Sequence, residues 1–454
     1  MSKLQNLKPQ LKSILTLGLP LAGTHLAQFS IHIVDTIMLG WYGIPELAAC
    51  ALSGIFFFSI MTFGLGFAFA VMPMVASAAS KGDDIRVRRV TRMGMWLSVI
   101  FVVLTFPILI WSELIFLSLG QEPMIAALSV EYLRVLAFAM APMLIIMVLS
   151  SYLSALEKTQ AILWITVLSV VLNSVLNWIF IFGKLGFPEL GLTGAAVASV
   201  AAQLMALWVV ILYISKNKEL KKYTIFVRIY KVDWNAFIEV FRLGWPIGLT
   251  HLAETCLFAS AGFFMGLVSI EALAAHGIAM EVVALTFMLH IGLSKAATVR
   301  VSYALGVRDG SSLIGAIIGA CVLSLSVVFC VVLVFLTIPD VIVSLFLNPE
   351  DPQREKIITI GVSLLTVGAI YQLTDAGQVM ILSILRGLQD TKVPMFVAAF
   401  GYLVIGIPMC YLVGIYLGYG APGVWMGLVA GLGVVCFLLG LRLLFILKHL
   451  KMNL

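Results

Sequence analysis

The chain has 454 residues, 62% hydrophobic and only 11% charged, with a formal net charge of +6. Soluble domains carry roughly 45–50% apolar and about 25% charged residues, so this composition excludes an ordinary soluble protein and predicts an all-α polytopic membrane protein. The positive charge does not point to nucleic acid, because the basic residues fall in short connections between apolar stretches, where they report topology.

The first apolar stretch, residues 13–39, follows a basic leader, MSKLQNLKPQLK. No small-residue cleavage site follows a short core, so the stretch reads as a retained span and not as a secretory signal. About 20 apolar residues suffice to cross a bilayer, and this stretch is longer. It carries Pro20, which removes a backbone hydrogen bond and can kink a helix. It also carries Asp35, a carboxylate that is costly in hydrocarbon unless paired, hydrated or protonated. Eleven more stretches of span length follow, at about 47–74, 93–112, 127–153, 161–183, 191–215, 239–266, 273–303, 312–338, 357–384, 394–417 and 421–447. The six cysteines are scattered through these stretches without a CxxC pair, and read as buried reduced thiols.

The basic residues orient the spans. Twenty-two fall on one side, in groups such as Lys3, Lys8 and Lys12, the run from Lys81 to Arg92, Lys216 to Lys231, Arg300 with Arg308, and Arg386 with Lys392. Three, Lys184, Arg354 and Lys356, fall in loops on the other. The bias predicts that both termini are cytoplasmic in a multi-pass inner-membrane protein. The far-side loops are acidic (Glu46, Glu113, Asp351 and others), which agrees with this but weighs little in the rule.

The longest polar connection, 216–238, divides the chain into an N-lobe, 1–215, and a C-lobe, 239–454, of six spans each. The halves match. At an offset of 226, Gly18-Leu19-Pro20 meets Gly244-Trp245-Pro246, and Thr24-His25-Leu26-Ala27 meets Thr250-His251-Leu252-Ala253. Gly40, Leu47, Gly66 and Asp83 meet Gly266, Leu273, Gly292 and Asp309; later, Leu156, Thr159 and Gly194 meet Leu388, Thr391 and Gly423 at offsets of 229–232. An even number of spans per half makes the repeats parallel, related by a pseudo-two-fold axis along the membrane normal. Two such lobes around a cleft suit a carrier that works by alternating access.

Five charges stand inside spans: Asp35, Glu254, Glu281, Lys295 and Asp375. Intramembrane ionisable groups are functional candidates by default. Asn173 and Asn177, four apart on one helical face, are candidate partners for Asp35, able to support either protonation state or to offer oxygens to Na+. Read blandly, Asp35 is a snorkelling outer-leaflet acid and the asparagines are interhelical glue. Glu254 occupies the position that Gln28 holds in the first half; Asp375 has Tyr371 four residues earlier on the same face, and a structural hydrogen-bonded pair is the plain alternative. Glu281 reads as a cation-site member or an outer-mouth acid, and Lys295 as a residue that can snorkel to the cytoplasmic end. His25 and His251 are repeat-equivalent, which favours a shared structural role, and no histidine spacing suggests a metal site. Gln28, Phe58, Met61, Phe258, Phe287 and Met288 are candidate walls of a cleft for flat apolar cations, although such stripes more often pack or face lipid. Gly18, Pro20, Gly23 and Pro246 are hinge candidates; Pro20 recurs in the second half, which ties it to the fold as much as to motion. Walker A and GxSxG patterns are absent, so no cofactor and no enzymatic chemistry are expected.

Over its whole length the chain resembles the multidrug and toxic compound extrusion (MATE) family. The resemblance rests on GLPL with VDTIMLG in the first span, the Asn173–Asn177 stretch running into FGKLGFPELGLTGAAVAS, LAAHGIAMEVVALTFM with LSKAATVRVSYALG in the eighth, and QVMILSILRGLQDTKVPM after the tenth. It implies twelve helices in two six-helix lobes and export of organic cations in exchange for H+ or Na+. Glu254, Tyr371 and Asp375 resemble a C-lobe cation site of the NorM branch, and Asp35 with Asn173 and Asn177 resembles the N-lobe coupling site. Glu281 departs from the family pattern, where a neutral polar residue is expected. A monomer in the bilayer, with small-molecule drugs as its partners, is the corresponding expectation. The alternatives are a lipid or lipid-linked precursor flippase of the same superfamily, which should have a cationic cleft; a channel, which needs a continuous polar pore; and a membrane enzyme, which needs converging side chains at one interface.

Overall fold

The structure, a computed structural model, describes residues 7–350 and 352–451; Lys3 and Asp351, used above for orientation, lie outside them. Among the described residues no strand occurs, and twelve helices are long and apolar enough to cross a membrane. They are α1 (Leu7–Tyr42), α2 (Ile44–Ser80), α3 (Asp84–Ile110), α4 (Pro123–Ala155), α5 (Thr159–Ile181) and α6 (Gly191–Lys216), then α7 (Trp234–Val268), α8 (Ile270–Val307), α9 (Gly310–Thr337), α10 (Arg354–Gly387), α11 (Lys392–Tyr416) and α12 (Gly420–Lys451). All twelve expected spans are present. Most are longer than their apolar stretches, because the helices continue into polar ends. Arg92, Arg300 and Arg386, read above as connection residues, therefore lie within α3, α8 and α10.

The repeat-matched residues do the same physical work in both halves. Asp83 caps α3 by accepting from the backbone N–H of Arg86, and Asp309 caps α9 by accepting from those of Ser311 and Ser312. Each satisfies donors that a helix start leaves open. Just before them, Gly82 (φ 71°) and Arg308 (φ 57°) both take the left-handed conformation that ends the preceding helix. Glu157 and Gln389, 232 residues apart, share it as well (φ 61° and 62°).

Glycines set the closest helix approaches. A Cβ at Gly66 on α2 would stand 2.3 Å from the nitrogen of Gly248 and 2.5 Å from the carbonyl of Gly244, both on α7. A Cβ at Gly292 on α8 would stand 2.4 Å from the nitrogen of Ala22 and 2.6 Å from the carbonyl of Gly18, both on α1. The second crossing is the first one displaced by 226 residues at every position. Small residues permit such backbone approach, which membrane helices use in place of a hydrophobic drive to associate.

These crossings explain how the chain divides. One compact unit is Gly23–Gly248; the other joins the residues up to Ala22 to Leu249–Leu454. The expected division at 216–238 differs, because α1 and α7 each pass from one unit to the other. Each changes over within three residues of its proline, Pro20 or Pro246, and both helices continue through that proline. The 216–238 segment is fastened within the first unit. Arg92 donates to the carbonyls of Ile225 (2.7 Å), Thr224 (2.8 Å) and Val227, and Trp96 to that of Ile229 (2.8 Å).

In the second unit, Thr298 and Ser302 of α8 donate to the carbonyls of Ser383 and Gly387 on α10, at 2.8 and 2.9 Å. Helix α11 is irregular, with π-helical turns at Phe400–Gly406 and Leu412–Tyr416 flanking Pro408, which has no N–H to donate. The six cysteines, expected to be buried, differ in placement: only Cys410 is buried, and Cys256 and Cys330 are exposed on their helices.

Candidate functional site: two buried polar clusters

In the first unit, α1, α5 and α6 meet around Asp35. Asn173 and Asn177 are one turn apart on α5 and almost fully buried (1% and 0% exposed). Asn177 Nδ2 donates to Asp35 Oδ1 at 2.5 Å and reaches Asn173 Oδ1 at 3.2 Å; Asn173 Nδ2 donates onward to Ser199 Oγ at 3.4 Å. The amide oxygen of Asn177 is buried and has no hydrogen-bond partner. Leaving such an acceptor unmet costs roughly 1–3 kcal/mol, so a ligand that met it would be held more tightly than contact area alone suggests. A carboxylate, two amide oxygens and a hydroxyl make an all-oxygen set suited to a hard cation such as Na+. The same set suits a proton. A protonated Asp35 becomes a donor, and the amide of Asn177 has an acceptor available for it.

The second unit holds a longer chain of polar groups. Tyr402 Oη donates to Gln378 Oε1 (2.6 Å), and Gln378 Nε2 donates to Glu254 Oε1 (2.9 Å). Glu254 Oε2 faces His251 Nδ1 at 3.5 Å, and His251 Nε2 meets Arg386 Nη2 at 3.2 Å. Guanidinium groups only donate, so His251 Nε2 is the acceptor there and Nδ1 carries the proton toward Glu254. Asp375, 1% exposed, borders Gln378 and Glu254, and its Oδ1 has no partner. Tyr371 is buried, its ring 5.5 Å from that of Trp425 and 6.5 Å from that of Phe258. Neighbouring Gln372 donates to Thr286 of α8 at 2.5 Å.

Thus the six residues singled out by sequence fall into two groups: Asp35 with Asn173 and Asn177, and Glu254 with Tyr371 and Asp375. The remaining candidates scatter. Met61 is buried in the hydrophobic core of the first unit beside Phe57 and Tyr132, so it does not line an open cleft. Phe58 and Glu281 are exposed, and Glu281 makes no hydrogen bond or ion pair among the described residues; Gln28, Phe258, Phe287 and Met288 are half-buried. Lys295 is half-buried within α8. His251 joins Glu254 to Arg386. Gln378 had a signal that was missed: it lies three residues after Asp375, on the same face of α10. Tyr402 and Arg386 had none, because an unremarkable aromatic and a residue counted as a loop cation become partners only through the fold. No group of three or more His, Cys, Asp or Glu able to hold a transition metal occurs among the described residues.

Comparison with known proteins gives a consistent result. The MatE family model matches residues 20–179 and again 246–412. The two matches begin at Pro20 and Pro246, the same offset of 226 that relates the halves. Proteins called "Probable multidrug resistance protein NorM" from Agrobacterium fabrum and Rhizobium meliloti are 39% and 41% identical over 96% and 97% of this chain and 94% of their own lengths. The "Multidrug resistance protein NorM" of Burkholderia vietnamiensis is 34% identical over 96% of this chain and 93% of its own. Two solved structures share the fold with a TM-score of 0.87 over 97% of both chains at 22% identity: an outward-facing MATE multidrug resistance transporter and a MOP superfamily transporter from Pyrococcus furiosus.

Proposed function

Since the chain belongs to the MatE family, we propose that it is a multidrug efflux transporter exporting organic, mainly cationic, compounds in exchange for H+ or Na+ by alternating access. The observation that carries the coupling role is the orphaned acceptor of Asn177 beside the carboxylate of Asp35. An ionised Asp35 is served by the Nδ2 of Asn177; a proton or Na+ entering the group is served by its oxygen. The site therefore has partners for both states, which a coupling group needs. In the second unit Glu254 and Asp375 bind the cation, with Gln378 and His251 orienting Glu254. Arg386 supplies a fixed positive charge at the far end of that chain of polar groups.

Neutralising Asp35 removes its demand for hydration and lets α1 repack, with Gly18, Pro20 and Gly23 at the point where that helix changes unit. Transport follows only if ion and drug differ in affinity for the two states; tight binding alone shifts nothing. We place the protein in the inner membrane with both termini cytoplasmic on the charge bias of its connections, and as a monomer on its family resemblance.

The test is ethidium efflux from proteoliposomes under an imposed pH or Na+ gradient. Asp35→Asn and Glu254→Gln should each abolish gradient-driven efflux while the protein stays folded and inserted. Wild-type efflux by both variants would refute the assignment of these carboxylates.

A further inference from the structure

The start of α3 and the connection between α6 and α7 enclose an open cleft of about 740 Å3. Five cations line it, Arg88, Arg89, Arg92, Arg228 and Lys231, against one carboxylate, Asp233. Three of the cations are committed. Arg92 is 9% exposed and bound to backbone carbonyls, Arg88 donates to Thr224 Oγ1 at 2.9 Å, and Arg89 pairs with Asp233 at 3.2 Å. Arg228 and Lys231 are exposed, and their side chains make no hydrogen bond or ion pair among the described residues.

The wall that carries these two is built with some strain. Thr224 (φ 48°) and Arg228 (φ 58°) occupy the left-handed region, which side-chain-bearing residues rarely adopt and which persists only where surroundings enforce it. The enforcing contacts are those of Arg92 and Trp96 with the carbonyls of residues 224–229. The rim is apolar and aromatic. Val227 and Trp234, which line the cleft, are 56% and 67% exposed, and Ile229 and Tyr230, which lie in the chain between the lining residues Arg228 and Lys231, are 40% and 69% exposed. Trp and Tyr at the ends of spans sit at the headgroup level of a bilayer, and basic pockets beside spanning helices recognise anionic headgroups.

We propose that this cleft is a binding site for the phosphodiester headgroup of an anionic phospholipid, with Arg228 and Lys231 contacting the phosphate and Tyr230 and Trp234 the acyl–headgroup boundary. The shared chemistry with a soluble phosphate is the phosphate itself. The exposed apolar rim favours the lipid, since a soluble anion makes no use of it. The cleft shares no residue with either carboxylate cluster, so the inference stands apart from the transport reading.

The test uses the full-length protein in detergent, with phosphatidylglycerol or cardiolipin titrated and bound lipid counted by native mass spectrometry. Phosphatidylcholine and inorganic phosphate form the comparison arms. The double variant Arg228→Gln/Lys231→Gln should weaken anionic-lipid binding about 30-fold, since each basic residue near a membrane surface contributes about a factor of five. Lys216→Gln/Lys218→Gln, with the same loss of charge but at residues that do not line the cleft, should leave it within about twofold of wild type. Thermal stability in phosphatidylcholine nanodiscs should match wild type for both pairs, because neither Arg228 nor Lys231 holds the fold. Equal weakening by both pairs, no weakening by the first, or displacement of the lipid by millimolar phosphate would overturn the proposal.

Discussion

Gly292→Ala measures how tightly α1 and α8 cross. The added Cβ would lie 2.4 Å from the Ala22 nitrogen and 2.6 Å from the Gly18 carbonyl oxygen, both backbone atoms of a helix that cannot step aside locally. Ordinary contact begins near 3.4 Å, so the axes must separate by about 1 Å. Overpacking of this kind costs about 1–3 kcal/mol. Ala for Gly in a helix returns about 1 kcal/mol in backbone propensity, so the net effect is a loss of up to about 2 kcal/mol. Helix α8 contains its own control. A Cβ at Gly277 meets nothing within 4 Å, so Gly277→Ala should be neutral or slightly stabilising. Thermal unfolding of the three proteins in one detergent separates the cases. The repeat adds an independent copy of the experiment, because Gly66→Ala on α2 should behave like Gly292→Ala, while Gly54→Ala, also in open space, should behave like Gly277→Ala. If Gly292→Ala proved as stable as Gly277→Ala, the backbone-to-backbone crossing would be refuted, and with it the physical account of where α1 changes unit.

Gln378→Leu removes a donor from Glu254 and an acceptor from Tyr402 at once. The buried Tyr402 hydroxyl loses its acceptor and the half-buried Glu254 one of its donors, at a cost of about 1–3 kcal/mol, so the variant should unfold at lower temperature and lose gradient-driven efflux; a variant as stable as wild type would break the proposed chain of polar groups. Asp309→Ala removes the cap of α9 and should cost about 1 kcal/mol at neutral pH. The hydroxyl of Ser312, then the backbone N–H groups of Ser312 and Ser311, hold the Asp309 carboxyl below its ordinary value of 3.8. A carboxylate with a depressed value stabilises above the unfolded-state value and stops doing so as pH falls below it. The stability gap between wild type and Asp309→Ala should therefore be full at neutral pH and close below the ordinary value of 3.8, which parallel unfolding curves across that range would read.

Much of this molecule is written locally along the chain. Span lengths, caps and turn residues depend on neighbours a few positions away, so the twelve helices follow from apolar runs, and the duplication from pairs such as Asp83 with Asp309 and Gly66 with Gly292. Asp35 with Asn173 and Asn177 was legible too, because an acid in hydrocarbon demands partners and few polar residues are available to supply them. Tertiary structure decided what depends on contacts between distant segments. It exchanged the beginnings of α1 and α7 between the units, since a glycine's value as a crossing point depends on what lies opposite. It buried Met61 in a core, left Glu281 exposed, and drew Gln378, Tyr402, His251 and Arg386 into one chain around Glu254. Hydropathy marks which residues leave water, but which polar groups then satisfy one another is set by the packing that brings the helices together.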